Sequence, residues 1–226
     1  SIKKNVHQQQ LVTEQITADY RAEFGRITSM CQMASSFAAW STLYRKITNW
    51  DIELSESNDA SIKEVLTYQK AEANQEFCKF VRRNYYDWIN KRADEEEIPV
   101  MSHTLMRKRI LPEVDSHEKT TLLLIDNFRY DQWRAISSLL RGYYDVDTDD
   151  FYCAILPTAT QYARNAIFAG LMPLAIDKMM PDKWLNDNEE GGKNQYEEEF
   201  LSRQIAQSGR RYKWSFDKLV RPEAGR

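Results

Sequence analysis

Apolar side chains recur at steps of three or four residues through the first part of the chain, a pattern typical of amphipathic helices. The spacing predicts a first helix over residues 5–24, in which Ile16, Tyr20 and Phe24 share one face. Gly25 follows that face directly. Because glycine commonly occupies the left-handed position after the last helical turn, we expect this helix to end there.

Two further stretches with the same periodicity predict a second and a third helix. Ser35 or Ser36 is placed to cap the second helix and Asp59 to cap the third, because their side-chain oxygens accept hydrogen bonds from free N–H groups. Short connectors between three helices predict a three-helix bundle over residues 1–92. The periodic positions are Phe37, Trp40, Tyr44, Ile47 and Trp50, followed by Ile62, Leu66, Ala73, Phe77, Phe80, Val81, Tyr85 and Trp88.

Residues 93–119 are interpreted as a linker. The acidic run Asp94–Glu97 is followed by Pro99, which interrupts a helix because proline has no backbone N–H to donate. Within the linker, the residues around Arg107 predict a short basic helix over residues 101–110.

The second half of the chain contains short apolar runs instead of long helical stripes. Residues 120–125 and 151–156 are bounded by polar residues and are too short to form helices of their own. They therefore predict buried, parallel strands. Two further strands are predicted over residues 143–146 and 212–216.

Helical spacing separates these runs. It predicts one helix over residues 133–140 and another over residues 161–169, the second ending at Gly170. Alternating strands and helices predict an α/β domain with a mostly parallel sheet over residues 120–226. The whole chain is then α-rich α/β, with a helical bundle followed by this domain.

The composition excludes several classes of protein. With 7 glycines and 6 prolines in 226 residues, the chain is poor in the turn residues that an all-β sandwich needs. No apolar run approaches the ~18 residues of a membrane helix, and no secretory signal begins the chain. We therefore expect a cytoplasmic protein without membrane insertion. Because the first residue is Ser1 and not Met, we expect a fragment of a longer protein.

Cysteine and histidine are both scarce. The cysteines are an odd number, widely spaced and without a CxxC motif, so we do not expect a disulfide framework. No histidine lies within four residues of another histidine or of a cysteine, which excludes a self-contained zinc finger or HExxH site. The residues are Cys31, Cys78 and Cys153, and His7, His103 and His117.

Candidate chemistry lies where the predicted strands end. Asp126 follows the first strand, and Thr158 and Thr160 follow the second at the start of a helix. Ligand sites of open α/β sheets gather beyond the carboxyl ends of strands. A carboxylate there can bind a metal ion, and a hydroxyl at a helix N-terminus faces N–H groups that suit a phosphoryl group. The alternative is that these residues only cap helices.

Two sequence segments resemble the PglZ domain, a branch of the alkaline phosphatase superfamily. They are LLLIDNFRYDQW (Leu122–Trp133) and LPTATQYARNAIFAGLMP (Leu156–Pro173). Both segments resemble the effector domain of PorX-type response regulators of Bacteroidetes. The segments Leu11–Tyr20 and Tyr68–Phe77 also resemble the bundle that links the receiver and PglZ domains of those proteins.

The resemblance implies roles for individual residues. Asp126 matches a zinc ligand, and Thr160 matches the metal-contacting nucleophile, with Thr158 as the second choice. The implied reaction passes through a phosphothreonine that metal-activated water hydrolyses. Arg164 and Asn165, about one turn further along the helix, are then expected to meet phosphate oxygens. For Arg164, a structural ion pair is an equal alternative.

Part of the family pattern is missing from the chain. Neither the D-x-x-x-H-like nor the T-D-H-G-like segment, which carry the remaining zinc ligands of the superfamily, is found. We therefore interpret residues 120–226 as a partial PglZ domain. Two zinc ions are expected in the full-length parent, while the site in this chain is expected to be incomplete and the chain alone inactive.

Charge is uneven near the C-terminus. Residues 182–199 carry seven acids and two lysines, and residues 201–226 carry seven basic residues and two acids. The stretch Asp187–Gly192 predicts a loop, either a lid over the site or a solvated insertion. The basic segment suggests an oligonucleotide as one candidate substrate.

Two functions of different class follow. One is a zinc-dependent phosphodiesterase or phosphatase that receiver phosphorylation controls, in a regulator of type IX secretion and gliding. The other is a non-catalytic module that signals by dimerising and binding a protein, such as a sigma factor or the secretion machinery. The aromatic-rich bundle motivates the second. The resemblance also implies a sensor kinase as partner and a homodimer of the phosphorylated parent.

Overall fold

Three long helices form the first part of the structure, a computed structural model that describes residues 2–55 and 57–219, with side chains from residue 11 onward. They are α1 (Ile2–Met33), α2 (Phe37–Ser55) and α3 (Ala60–Ile89), and each packs against the other two. Within the described residues, none of the helices is both long enough and apolar enough to cross a membrane. The bundle core includes Tyr20, Ile27, Leu43, Leu54, Ile62, Leu66 and Phe80.

The helix caps are those that the sequence predicts. The Ser36 hydroxyl accepts a hydrogen bond from Ala39 N at 3.2 Å, which begins α2. Asp59 accepts hydrogen bonds from Ser61 N at 3.0 Å and Ile62 N at 3.2 Å, which begins α3. The hydrogen bond from the Ser61 hydroxyl, together with these backbone bonds, lowers the pKa of Asp59. Free N–H groups at both helix starts are thereby satisfied.

The prediction that α1 ends at Gly25 is wrong. The helix continues to Met33, and Gly25 lies inside it. The buried face also continues, because Ile27 is 0% exposed and Cys31 is buried. Burying an isoleucine contributes about 1.5–3 kcal/mol, which exceeds the roughly 1 kcal/mol cost of a glycine inside a helix.

A buried hydrogen-bond network joins α1 to α3. The Tyr20 hydroxyl donates to Gln69 Oε1 at 2.9 Å, and Gln69 Nε2 donates to Phe24 O and to Thr28 Oγ1, both at 3.1 Å. Burial raises the pKa of Tyr20 to about 12. Because polar groups are costly to bury without partners, this network favours one register between the two helices.

Residues 127–151 belong to the same compact unit as the bundle. Their helix, α6 (Tyr130–Leu140), matches the helix that the sequence predicts over residues 133–140 and packs against α2. The guanidinium of Arg45 lies 4.6 Å from the centre of the Phe151 ring, and its Nη1 is 2.9 Å from Asp149 Oδ1. These cation–π and ionic contacts attach the segment to α2.

The second compact unit comprises Val100–Asp126 and Tyr152–Arg226. It begins with α4 (Ser102–Leu105), a π turn (Met106–Ile110) and α5 (Leu111–Ser116), so the basic helix predicted over residues 101–110 continues further. The later helices are α7 (Thr160–Ala169), α8 (Pro173–Met179), a 3-10 turn (Pro181–Lys183) and α9 (Glu197–Gln207).

Helix α7 is the centre of this unit. It packs against α4 on one side and α9 on another, and it ends as predicted at Gly170, whose φ is +65°. Gln204 Nε2 donates to the carbonyls of Ile167 and Phe168, which lie in the last turn of α7. The surrounding core contains Met106, Leu111, Ile176, Trp184, Phe200, Leu201 and Ile205.

The predicted parallel sheet does not form in the described part of the chain. The only β pairing there is an isolated parallel bridge between Met101 and Cys153. The run 120–125 is exposed, with Leu123 at 73%, and the segments 143–146 and 212–216 are not strands either. A strand is stable only when a neighbouring segment pairs with its N–H and C=O groups. Among the described residues, no neighbouring strand pairs with 120–125, 143–146 or 212–216.

Replacing Gly25 with alanine is expected to raise the free energy of unfolding by about 0.5–1 kcal/mol, because alanine removes the entropic cost of glycine within a helix. The added Cβ meets open space. Thermal unfolding followed by circular dichroism measures the change. Gly170→Ala is a control of opposite sign, since its φ is +65° and its Cβ would lie 2.5 Å from Gln204 Oε1. A lower stability of Gly25→Ala would mean that the helix ends at this glycine.

Gln69→Leu is expected to lower the free energy of unfolding by about 1–3 kcal/mol, because it leaves the buried Tyr20 hydroxyl without its acceptor. Adding Tyr20→Phe should then cost less than in the native background, with a coupling of about 0.5–3 kcal/mol in a denaturation-based double-mutant cycle. Gln75→Leu, at an exposed position of α3, is the control. Strict additivity of the two changes would argue against the buried network.

Candidate functional site

The structure brings together Asp126 and Thr160, although 33 residues separate them in the sequence. Thr160 is the first residue of α7, and its hydroxyl lies 3.2 Å from each oxygen of the Asp126 carboxylate. The carboxylate is about half exposed, so the pair faces solvent. A hydroxyl on a carboxylate at a helix N-terminus has a proton acceptor beside it and free N–H groups near it.

Thr158 does not join this pair. It is exposed, and it makes no hydrogen bond within the described part of the chain. Ala159 precedes α7 and has no side-chain oxygen, so no cap side chain bonds the first N–H groups of the helix. Of the two threonines, the geometry therefore favours Thr160 for any reaction at this helix start.

Arg164 lies one turn along α7 and links the pair to a second carboxylate. Its Nη1 is 3.2 Å from Asp126 Oδ2, and its Nε donates to Glu197 Oε1. The side chain is only 17% exposed. The structure is therefore compatible with both interpretations of Arg164. The residue forms an ion pair with Glu197, and it also contacts Asp126, the carboxylate to which the Thr160 hydroxyl donates.

Sequence reasoning did not identify Glu197. The residue lies in the first turn of α9, its side chain is 4% exposed, and its Oε2 is 2.9 Å from Lys218 Nζ. The neighbours Glu198 and Glu199 are exposed. The three acids form a continuous run, so no signal in the sequence distinguishes the buried one from the other two.

Asn165 contacts a loop and not the Asp126–Thr160 pair. It is 1% exposed, its Nδ2 donates to Lys193 O at 3.0 Å, and its Oδ1 accepts from Asn194 Nδ2 at 2.9 Å. Tyr162 also bonds the loop, since its hydroxyl donates to Asp187 Oδ2 at 2.7 Å. The predicted loop around Asp187–Gly192 is thus attached to α7 by several side chains.

The charge of Asp126 affects one neighbouring group. Burial and, to a smaller degree, the Asp126 carboxylate raise the pKa of the Tyr152 phenol. The phenol therefore stays protonated at neutral pH and can donate a hydrogen bond close to the site.

The described residues do not fit a two-zinc site. Asp126 and Thr160 offer one carboxylate and one hydroxyl, and no group of three His, Cys, Asp or Glu side chains suited to a metal occurs in the described ranges. Zinc in proteins takes at least three protein ligands. In addition, the Arg164 guanidinium already contacts Asp126. His117 lies elsewhere, with its Nδ1 2.8 Å from Glu113 O.

Comparison with family models identifies two regions. The model of the PorX response regulator linker domain matches residues 10–89, and the model of the BREX system PglZ alkaline phosphatase-like domain matches residues 105–224. No curated protein matches the chain. The two matches confirm the resemblance that the sequence segments indicate, in the same order along the chain.

Asn165→Ala is expected to lower the free energy of unfolding by about 1–3 kcal/mol, because it removes a buried amide that satisfies groups of the loop. Limited proteolysis within residues 184–196 should become faster, since the loop loses an attachment to α7. Asn188→Ala, at an exposed position of the same loop, is the matched control. Unchanged stability and cleavage in Asn165→Ala would show that the side chain is free to serve a substrate instead.

Proposed function

Because the chain belongs to the PglZ alkaline phosphatase-like family, we propose that it is the linker and phosphatase-like effector of a response regulator, and that this effector is a zinc-dependent phosphodiesterase or phosphatase. The family match supports an alkaline-phosphatase-like fold, and we propose that residues 151–156 form a strand of its sheet. Cys153, which lies in this run, forms a parallel bridge with Met101 in the described residues.

One observation supports the catalytic part of the proposal most strongly. A hydroxyl at a helix N-terminus lies 3.2 Å from a carboxylate, and a guanidinium contacts the same carboxylate. Nucleophile, proton acceptor and cation are the groups that transfer of a phosphoryl unit to a hydroxyl requires. Thr160 and Arg164, one turn apart in α7, supply the nucleophile and the cation, and Asp126 supplies the proton acceptor.

In the proposed reaction, Thr160 Oγ1 attacks the phosphorus atom of a phosphate ester. The bond from Oγ1 to phosphorus forms as the bond to the leaving oxygen breaks, and Asp126 accepts the hydroxyl proton. The leaving oxygen then takes this proton from Asp126 and departs as an alcohol. Water attacks the phosphothreonine in a second step, which releases phosphate or a phosphomonoester and restores the Thr160 hydroxyl. Arg164 offsets the negative charge on the phosphoryl oxygens in both steps.

Asp126 and Thr160 are also the residues that we propose as zinc ligands. Zinc would need further ligands beyond these two oxygen donors, because the described ranges contain no third candidate beside them. The sequence resemblance predicts that Asn165 binds substrate. Its contacts with the loop support a different proposal, in which it holds the residues that follow α8 close to α7.

The regulatory part of the proposal rests on the match to the linker domain. A response regulator receives its signal from a sensor kinase, which we propose as the partner of the natural protein. Four further points stay proposals. They are dimerisation on phosphorylation, a sigma factor or the secretion machinery as partner, an oligonucleotide as substrate, and a role in type IX secretion and gliding. The sequence resemblance supports the secretion role and the dimer, the aromatic-rich bundle supports the protein partner, and the basic residues of 201–226 support the oligonucleotide.

The non-catalytic signalling module is the second candidate function. An exposed apolar stretch at the end of α6 favours it, since Leu139 is 72%, Tyr143 82% and Tyr144 70% exposed. Contiguous exposed apolar surface commonly marks a protein-binding site. This function requires no chemistry from Thr160, so the two candidates differ in what a change at that residue does.

Thr160→Val is expected to lower the turnover of bis(4-nitrophenyl) phosphate at least about 10³-fold in the natural protein that contains these residues, because the nucleophilic oxygen is lost while the side-chain shape is kept. Absorbance of the released 4-nitrophenolate measures the rate. Thr158→Val is the matched control and should stay within about threefold of the native rate. Undiminished turnover by Thr160→Val would refute the assignment of Thr160 as the nucleophile. Intact signalling by a variant without turnover would favour the non-catalytic module.

A further inference from the structure

The buried carboxylate of Glu197 has a cationic partner at each of its two oxygens. Its Oε1 accepts from Arg164 Nε, and its Oε2 lies 2.9 Å from Lys218 Nζ. The side chain is 4% exposed, whereas the Asp126 carboxylate that Arg164 also contacts is about half exposed. A carboxylate so buried is stable only when both oxygens are paired, as they are here.

Different nitrogen atoms of the Arg164 guanidinium therefore have different partners. Nε donates to Glu197 and Nη1 lies 3.2 Å from Asp126 Oδ2, while Nη2 donates no hydrogen bond within the described residues. The Nη2 edge is therefore left to a ligand beside Thr160. Because the guanidinium is planar, a partner that binds Nε fixes the direction in which the other nitrogen atoms point.

We propose that Glu197 is a positioning residue that orients the Arg164 guanidinium toward the Thr160 site, so that a phosphoryl group is bound there. The inference rests on the proposed function, since it assigns a role relative to phosphate at Thr160. It names a residue that neither the sequence pattern nor the family match identifies.

The packing of the unit supports this role. Glu197 lies in the first turn of α9, where the positive end of the helix dipole favours a carboxylate. Helices α7 and α9 pack directly together, and Gln204 of α9 bonds the last turn of α7. The backbone positions of Arg164 and Glu197 are thus held before any ligand binds. Lys218 also donates to Asn194 O at 2.6 Å, which fixes the second partner of Glu197.

A positioning role and a purely electrostatic role of Glu197 predict opposite changes in anion binding when its charge is removed. If Glu197 acted only through its charge, removing that charge near an anion site would strengthen anion binding. If it orients Arg164, removing the charge weakens anion binding, because the guanidinium loses its fixed direction. The sign of the change therefore separates the two explanations.

The test compares Glu197→Gln with Glu198→Gln, its exposed neighbour, in the full chain. Inorganic phosphate is the probe, and its Kd is measured by calorimetry. Glu197→Gln is expected to raise the phosphate Kd about tenfold, while Glu198→Gln stays within about twofold of the native value. Glu197→Asp keeps the charge on a shorter side chain and should give an intermediate Kd, and it carries the test if Glu197→Gln does not fold.

A second readout needs no ligand. The Nε–Hε resonance of Arg164 in ¹H–¹⁵N spectra should move toward the position of a free guanidinium in Glu197→Gln and stay unchanged in Glu198→Gln. An unchanged resonance, or an equal or tighter phosphate Kd in folded Glu197→Gln, would overturn the inference. Absence of phosphate binding by the native chain would instead contradict the proposed function, and the resonance alone would then decide whether Glu197 holds Arg164.

Discussion

The guanidinium of Arg164, bound between the carboxylates of Asp126 and Glu197, is the interaction on which the second unit's site depends. It joins the start of α7 to the end of an apolar run on one side and to α9 on the other. A cation that is 17% exposed between two carboxylates contributes little net stability, because desolvation offsets attraction. Its consequence is geometric, since Nε is held by Glu197 and Nη1 lies at the Asp126 carboxylate.

The rest of the unit keeps this interaction in place. Gly170 ends α7 in the left-handed conformation, and Gln204 bonds the carbonyls of its last turn, so α7 and α9 stay in register. Asn165 and Tyr162 attach the loop that leads into α9. Side chains of α7 thus point in two directions, with Thr160 and Arg164 at the site and Asn165 in the interior.

Local features of the fold could be predicted from the sequence. The caps Ser36 and Asp59 and the end of α7 at Gly170 depend on residue type and short spacing. Asp126 and Thr160 meet across 33 intervening residues, and the sequence pointed to their proximity only through the ends of predicted strands. Gly25 was misassigned because burial of Ile27 outweighs a local preference. The predicted sheet is not found in the described residues. A short apolar run indicates that a strand is favourable, but it does not indicate which segment would pair with that strand. Glu197 could not be found, since burial distinguishes it from Glu198 and Glu199 only after α7 and α9 pack.

The central claim is that Thr160, Asp126 and Arg164 form one site for a phosphoryl group. A crystal structure of the chain with vanadate, which adopts the geometry of phosphorus under attack, tests it most directly. The account predicts vanadium bonded to Thr160 Oγ1, with an equatorial oxygen within hydrogen-bond distance of Arg164 Nη2 and the Arg164–Glu197 pair intact. Vanadate bound elsewhere, or Arg164 turned away from Asp126 with Thr160 Oγ1 free, would contradict it.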